Sequence, residues 1–445
     1  MGDTDRGHAV VIGGSIAGLV AARLLAEAFD RVTVVERDAL EGGPEVRRGV
    51  PQGHHVHGLL ARGAQVLEEL FPGLDAELEK AGAPRLHIGL DVGYLGAYGW
   101  ASPFQPPIPF RAASRPLLEH CVRLRARELE KVKVLAGRQV AGLLTSSGNG
   151  RVTGVLHEHA GGGGEERLEA DLVVDASGRG SRAPAWLERM GRTPPRESVV
   201  DAFVGYSTRI YEDIPPLRDG WRSVFVLWAP PITRGGVVFP IEGGRAYVTL
   251  AGVGRDYPPT DEAGFTAFAG TLRSPHVHEA ISRARPVTDI HATRSTANRW
   301  LHYERLKDLP AGLVVLGDAV CAFNPIYGQG MTVAVLGAEL LGRLAKRPIP
   351  AGKLPLQFQQ GLAELVGQVW TMSTSEDFRF STTQGKVPVG TRISHRYFNA
   401  LLQLCSTDVD ATRTVVRVVQ LLDPPGLLLR PGIALRALAH SIRAG

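Results

Sequence analysis

The sequence predicts an α/β protein in which a domain with a parallel sheet is interrupted by a mostly β insertion and followed by a helical C-terminal region. Three observations predict it. Residues 8–36 read as strand (HAVVIG), glycine turn, helix (IAGLVAARLLAEAF) and strand (RVTVVER). From about 200 to 285, strand-like runs such as SVFVLWAPP, RGGVVFPIEGG and RAYVTLAGV alternate with Pro and Gly clusters. From residue 311 the chain returns to strand, turn and helix, so the meander reads as one domain set inside another.

The intervening pieces follow the same logic. Leu117, Leu118, Cys121, Val122 and Leu124 fall at helical spacing, and 131–143 returns to strand-like alternation. RVTGVLHEHA and EERLEADLVVDASG read as hairpin strands around the loop tip Gly161–Gly164. Residues 355–445 are mostly helical, with a break at Asp423-Pro-Pro-Gly426.

Composition excludes several classes. The 445 residues are 44% hydrophobic and 21% charged, ordinary globular material with room for two domains. The net charge of +5 comes from dispersed arginines rather than a basic run with interleaved aromatics, which disfavours nucleic acid and favours anionic small molecules. Cys121, Cys321 and Cys405 lie far apart, suggesting neither a disulfide framework nor a zinc site, and a reducing cytoplasm is expected. The N-terminus carries acids where a signal peptide would carry positive charge, and no apolar run reaches the roughly 20 residues of a spanning helix. The tail LLLRPGIALRALAHSIRAG mixes leucines with arginines; it suits a helix packed on the protein and leaves peripheral membrane contact open.

The turn Gly13-Gly14-Ser15-Ile16-Ala17-Gly18 between strand and helix suits a pyrophosphate, because backbone amides and the helix dipole both favour an anion there. Gly13 permits the tight turn and Gly18 lets helix and strand pack closely. Glu36 closes the second strand, where an acid accepts hydrogen bonds from ribose hydroxyls and disfavours a 2′-phosphate. FAD or NAD is therefore expected. A nicotinamide dehydrogenase would continue with further β-α units; this chain leaves for hairpins and a β insertion before returning to Gly317-Asp318, which points to flavin.

On these residues the chain resembles the FAD-dependent monooxygenases of the para-hydroxybenzoate hydroxylase fold, over nearly its full length. GGSIAG with Glu36, DLVVDASGRGSR and GDAVCAFNPIYGQGM carry the resemblance. RRGVPQGHHVHGLL is similar to the branch of bacterial flavin epoxidases that act on polyene precursors of polyethers. The resemblance implies a Rossmann-like FAD-binding domain with an inserted mostly β substrate domain and a helical C-terminal region. FAD-binding parts are expected at 1–85, 111–197 and 289–350, substrate-domain segments at 86–110 and 198–288, and the helical region at 351–445.

It further implies that Asp318 holds a ribityl hydroxyl, that Pro325 lies beside the isoalloxazine, and that Gly328, Gln329, Gly330 and Met331 present helix amides to the flavin N1/O2 edge. A positive helix end there would stabilise the reduced ring's negative charge. Arg37, Arg48, Arg115 and the backbone at Val140 complete the expected cofactor contacts, whereas Arg47 reads equally as a surface ion pair. Many relatives carry Asp-Gly where this chain has Ser177-Gly178, and His where it has Cys321, which reads as a packed thiol.

Gly53-His54-His55-Val56-His57 invites a metal reading, but no Asp, Glu or Cys completes a ligand set, and no metal is expected. The resemblance puts this loop over the flavin, with Gln52 and His57 as ring or substrate contacts. Tyr94, Trp100, Phe225 and Trp228 are candidate substrate contacts among several aromatics of the insertion and of the 86–110 loop. No nucleophile elbow or P-loop lysine is present. The expected activity is that of an FAD monooxygenase using NAD(P)H and O2 through a flavin C4a-hydroperoxide to epoxidise an apolar natural product, as in antibiotic biosynthesis. An aromatic hydroxylase, or an alkene reductase resembling geranylgeranyl reductase, is the alternative; the Trp-x-Trp-x-Ile-Pro stretch of flavin halogenases is not found.

Overall fold

The computed structural model describes residues 7–350 and 352–444; the N-terminal acids read against a signal peptide lie outside the described residues, as does Gly445. The first unit is β1 (His8–Ile12), α1 (Ile16–Leu25) and β2 (Arg31–Val35). All five positions of β1 are buried, as a strand covered on both faces requires. There follow β3 (Val92–Gly96), α2 (Arg115–Arg127), β4 (Val132–Leu135), β5 (Arg138–Thr145) and β6 (Leu172–Asp175). The insertion carries β7 (Gly205–Glu212), β8 (Ser223–Val226), β9 (Arg234–Pro240), β10 (Ala246–Gly252), α3 (Glu262–Gly270) and α4 (His276–Ser282). β11 (Asn298–Leu301), β12 (Leu313–Val315), α5 (Gly330–Ala345) and α6 (Leu354–Asp377) lead into α7 (Thr391–Leu404), α8 (Val409–Val419) and α9 (Pro431–Ala444).

In the order β12, β6, β1, β2, β4, five strands form a parallel sheet. α1 and α5 pack together so tightly that a Cβ at Gly342 would sit 2.7 Å from that of Leu24. β5, Val152–His159 and Glu166–Glu169 make an antiparallel three-stranded sheet whose loop tip is Gly161–Gly164. In the larger sheet, β7, β10, β9 and β8 run antiparallel, and β3 joins in parallel to β8 with Tyr94 opposite Phe225.

Residues 262–282 differ from the strand-like expectation. Asp261 accepts a hydrogen bond from Gly264 N–H and caps α3, whose Phe265, Phe268 and Ala269 recur at helical spacing. With Val277 and Ile281 of α4 they cover the back of the sheet, packing on Val226, Val238 and Leu250. The helices α7, α8 and α9 hold a separate small core around Leu401, Leu404, Val418, Ile433 and Ala437. Among the described residues no helix is long and apolar enough to cross a membrane.

Phe265 is fully buried, so Phe265→Ala should destabilise the inserted sheet by about 3–5 kcal/mol. Denaturant melts would measure it; a loss under about 1 kcal/mol would contradict the packing of α3 described here.

Candidate functional site

The turn after β1 has little room. Gly13 has a φ of +104°, and a Cβ there would meet Ala176 O at 2.5 Å; one at Gly18 would lie 1.8 Å from Gly13 O. Both glycines are therefore required by the chain itself. Gly14 N–H donates to Glu36 Oε2 at 2.6 Å, and Asp38 N–H donates to its Oε1 at 2.9 Å. α1 begins with no acid in its first turn and no side-chain cap, so its leading amides remain available to an anion. Ser15 turns away from its own helix and donates to Glu119 Oε1 at 2.6 Å.

Glu119, on α2, organises this end of the site. Arg115 Nε donates to it at 2.9 Å and Arg47 Nη2 at 2.7 Å. Burial disfavours its charge, but Arg115, Arg47 and the Ser15 hydroxyl outweigh that and hold its carboxyl below the ordinary range. Arg47 also reaches Asp38 at 3.1 Å and Glu36 at 3.7 Å. Arg48, the neighbour expected at the cofactor, is exposed, and neither arginine lines the cavity itself. Three carboxylates face Arg47, so it is the arginine whose desolvation is compensated. Arg37 is exposed, donates to Gly49 O at 3.3 Å and borders the cavity, as does buried Val140 next to a bulge in β5.

The three histidine rings of the loop diverge. His54 stacks on His291 at 3.8 Å, and His55 Nδ1 meets the Thr208 hydroxyl at 2.9 Å. Arg115 Nη1 lies 3.2 Å from His57 Nε2; a guanidinium only donates, so Nε2 accepts and the proton is on Nδ1, which donates to His55 O at 3.0 Å. Burial and the nearby Arg115 push the His57 pKa down to about 3; burial, with His54 and His291, puts that of His55 at about 4. Among the described residues no group of three or more His, Cys, Asp or Glu is placed to hold a metal.

At the far end of the sheet β12 delivers Gly317, at φ +69°, and then Asp318. The Asp318 carboxylate lines the cavity and accepts no hydrogen bond from the described residues; burial raises its pKa, with Arg115 and Arg179 opposing. Pro325 and Tyr327 lie in a single 3-10 turn that ends on Gly328 at φ +66°. Gln329 is 3% exposed, and its Oε1 is buried without a partner; Gly330 and buried Met331 begin α5, again with no acid in the first turn. Cys321 is buried, which raises its thiol well above the usual value and disfavours a thiolate.

All these elements open into one cavity of about 2500 Å³, beyond the roughly 300–1,000 Å³ of a single small-ligand site. Its far wall holds the expected aromatics. Tyr94 lies 6.3 Å from Phe225, Trp100 4.5 Å from Trp221, and Trp228 6.4 Å from Phe380. Gln52 and His57 line the cavity as well. Phe104 also lines the cavity while packing against Ala61 and Ile108. The sequence reading did not find Glu119, or the wall contributed by Met372, Glu376, Arg379 and Tyr397 of α6, α7 and the link between them. The only signal for Glu119 is its i,i+4 spacing from Arg115.

The residues present fit a dinucleotide flavin: two uncapped helix starts, a half-buried acid that accepts no hydrogen bond from the described residues and the orphaned Gln329 Oε1 surround one cavity. Comparison with known proteins agrees. Residues 9–185 match the FAD dependent oxidoreductase family and residues 197–350 the squalene epoxidase family. Protein Rv3254 of Mycobacterium tuberculosis is 35% identical, the alignment covering 98% of this chain and 94% of that protein. Among solved structures, a flavoprotein/dehydrogenase from Cytophaga hutchinsonii has a TM-score of 0.69 at 17% identity, covering 98% of this chain and 100% of its own. The OxyS anhydrotetracycline hydroxylase from Streptomyces rimosus has 0.61 at 18%, covering 94% and 76%. The flavin-dependent brominase Bmp2 has 0.64 at 17%, covering 98% and 100%. This chain belongs to the FAD-dependent flavoprotein monooxygenases.

Gly330 separates a requirement of the fold from one of the ligand. A Cβ there would lie an ordinary 3.8 Å from Asp318 Oδ1, so Gly330→Ala should leave the apoprotein's melting temperature unchanged or raised. If the start of α5 faces the flavin, the same variant should weaken FAD binding by about tenfold or more. Titration of apoprotein with FAD gives the answer, and wild-type affinity would remove Gly330 from the cofactor's surroundings.

Proposed function

We propose that this enzyme is an NAD(P)H-dependent monooxygenase that delivers one atom of O2 to an alkene of an apolar natural product, forming an epoxide. The single observation that carries the reading is the continuity of the cavity, from the glycine turn past Asp318 and Gln329 to the aromatic wall at Tyr94, Phe225 and Trp228. The match of residues 197–350 to the squalene epoxidase family supports it.

On this reading residues 1–85, 111–197 and 289–350 form the FAD domain, 86–110 and 198–288 the substrate domain, and 351–445 the helical region. Gly13 to Gly18 and the start of α1 would hold the pyrophosphate, Glu36 the ribose, Val140 the adenine, Asp318 the ribityl chain, and Gly328 to Met331 the ring edge beside Pro325. Arg115 and Arg47 fix the pyrophosphate end through Glu119. Bound FAD would supply electron transfer from the nicotinamide donor and an electrophilic oxygen atom. The protein's part is to bind, orient and keep water away from the reacting atoms. Arg179 and Arg182 line the cavity beside Ser177-Gly178 and suit an anionic dinucleotide.

Alkene epoxidation is favoured over phenol hydroxylation because a phenol calls for a base, and burial keeps His55 and His57 neutral and only weakly basic. Halogenation is disfavoured because no lysine lines the cavity among the described residues. Ile393 and Leu429, exposed at 74% and 66%, border the cavity, and exposed Leu435 follows on α9. That apolar rim supports loading of substrate from a membrane surface by a protein otherwise resident in the cytoplasm, where its three buried thiols stay reduced.

FAD-loaded enzyme given NADH or NADPH with polyene, terpenoid and phenolic compounds should consume O2 and add one oxygen to a polyene or terpenoid. Anaerobic saturation of an alkene, or a halide-dependent product, would replace this reading by a reductase or a halogenase. Asp318→Ala should weaken FAD binding at least about tenfold, the effect of losing hydrogen bonds to a charged group. Equal retention of FAD on gel filtration would remove Asp318 from that role.

A further inference from the structure

The turn Asn324–Gly328 places Pro325 and the start of α5 on the cavity wall, and one carboxylate holds it from behind. Asp377, the last residue of α6, is 2% exposed and does not line the cavity. Its Oδ1 accepts from the Tyr327 hydroxyl at 2.8 Å and from Asn324 Nδ2 at 3.1 Å, and its Oδ2 accepts from Asn298 Nδ2 at 2.6 Å. Asn298, on β11, accepts at its Oδ1 from Asn324 N–H at 2.8 Å and from the Ser373 hydroxyl at 2.8 Å. Asn324 Oδ1 in turn caps Ile326 N–H at 3.3 Å. Both ends of a five-residue turn are thus tied, directly or through one asparagine, to a residue some 50 positions away on another helix.

We propose that Asp377 is a positioning residue for the flavin, an acceptor that locks the Asn324–Gly328 turn and so sets how Pro325 and the amides at the start of α5 meet the ring. The inference rests on the flavin site described above. Three donors converge on this carboxylate, and each is directional, so the turn is defined at its side chains as well as along its backbone. Remove the acceptor and three buried donors lose their common partner. The tie also joins the helical region to the ring's surroundings, since α6 ends at Asp377 and the substrate wall at Glu376 and Arg379 flanks it.

The carboxylate is poised to titrate. Burial pushes its pKa up to about 7, against the hydrogen bonds from Tyr327, Asn324 and Asn298, which favour the ionised form; Glu376, next on α6 and paired with Arg379 at 2.7 Å, adds a like charge. Above neutral pH all three donors have an acceptor. As pH falls through about 7 the proton takes an acceptor position and loosens the turn.

The test compares the holoenzyme with Asp377→Asn and Tyr327→Phe, reading FAD affinity, flavin visible circular dichroism and midpoint potential on both sides of neutral pH. The wild type should show a bend near neutrality in the circular dichroism and potential profiles. Asp377→Asn should lose the bend and bind FAD about tenfold more weakly, a hydrogen bond's effect. Should Asp377→Asn fail to fold, Tyr327→Phe carries the test: losing a donor to the carboxylate should move the bend to higher pH. A bend in Asp377→Asn like that of the wild type, or an unmoved one in Tyr327→Phe, overturns the proposal. A wild type that takes up no FAD would instead refute the flavin site itself.

Discussion

The site depends on the addition of β12 to β6. Strands β7 to β10 and helices α3 and α4 lie between these strands in sequence, yet the two pair in parallel with Val173 opposite Leu313 and Asp175 opposite Val315, and Leu316 N–H donates to Asp175 O at 2.9 Å. That register carries Gly317 over α1, where an added Cβ would come within 3.2 Å of Ala17, and leaves Asp318 facing the same cavity as the glycine turn. A one-residue slip would turn the strand's side chains to opposite faces and aim Asp318 elsewhere. Two helices, α1 and α5, then begin on one cavity, each with an acid-free first turn and a positive dipole end.

Three acids show how this arrangement divides its electrostatic work. Glu119 is buried but meets two guanidiniums and a hydroxyl, so its charge is satisfied by the chain alone. Asp377 is buried with three neutral donors and no ion pair among the described residues, which leaves it near the balance point between its two forms at neutral pH. Asp318 accepts no hydrogen bond from the described residues and faces the cavity, so a ligand bearing hydroxyls is what would complete it. The degree to which each carboxylate is already satisfied thus sets the framework acid Glu119 apart from the proposed positioning group Asp377 and the proposed ligand contact Asp318.

The same distinction governs what could be read from the sequence. Gly13, Gly18 and Gly317 were legible because backbone geometry dictates them, and Glu36 and Asp318 because each closes a strand of a recognisable unit. The ion pairs of Arg47 were not, because they depend on Asp38 and Glu119, and nothing local says that α2 brings Glu119 to the turn. The helices α3 and α4 were hidden for a related reason: their short apolar faces match the sheet they cover rather than a long periodic pattern. The Asp377 tie links positions 298, 324, 327 and 377 across three elements, a relation no spacing rule contains.

The helical region adds a constraint of its own. Its core is separate from that of the FAD domain, and polar links such as Gln420 to Ala61 N–H, Ser102 to Ser406 O and Arg413 to Gln105 O help join it to the rest of the chain. The remaining cavity wall, at Tyr94 and Phe225, belongs to the large sheet, whose strands are fixed by continuous pairing. Residues of α7 and α8 such as Tyr397 and Val415 thus line the cavity from elements outside that sheet. Asp377 connects that wall to the Asn324–Gly328 turn, because α6 both walls the cavity and ends in the group that ties the turn.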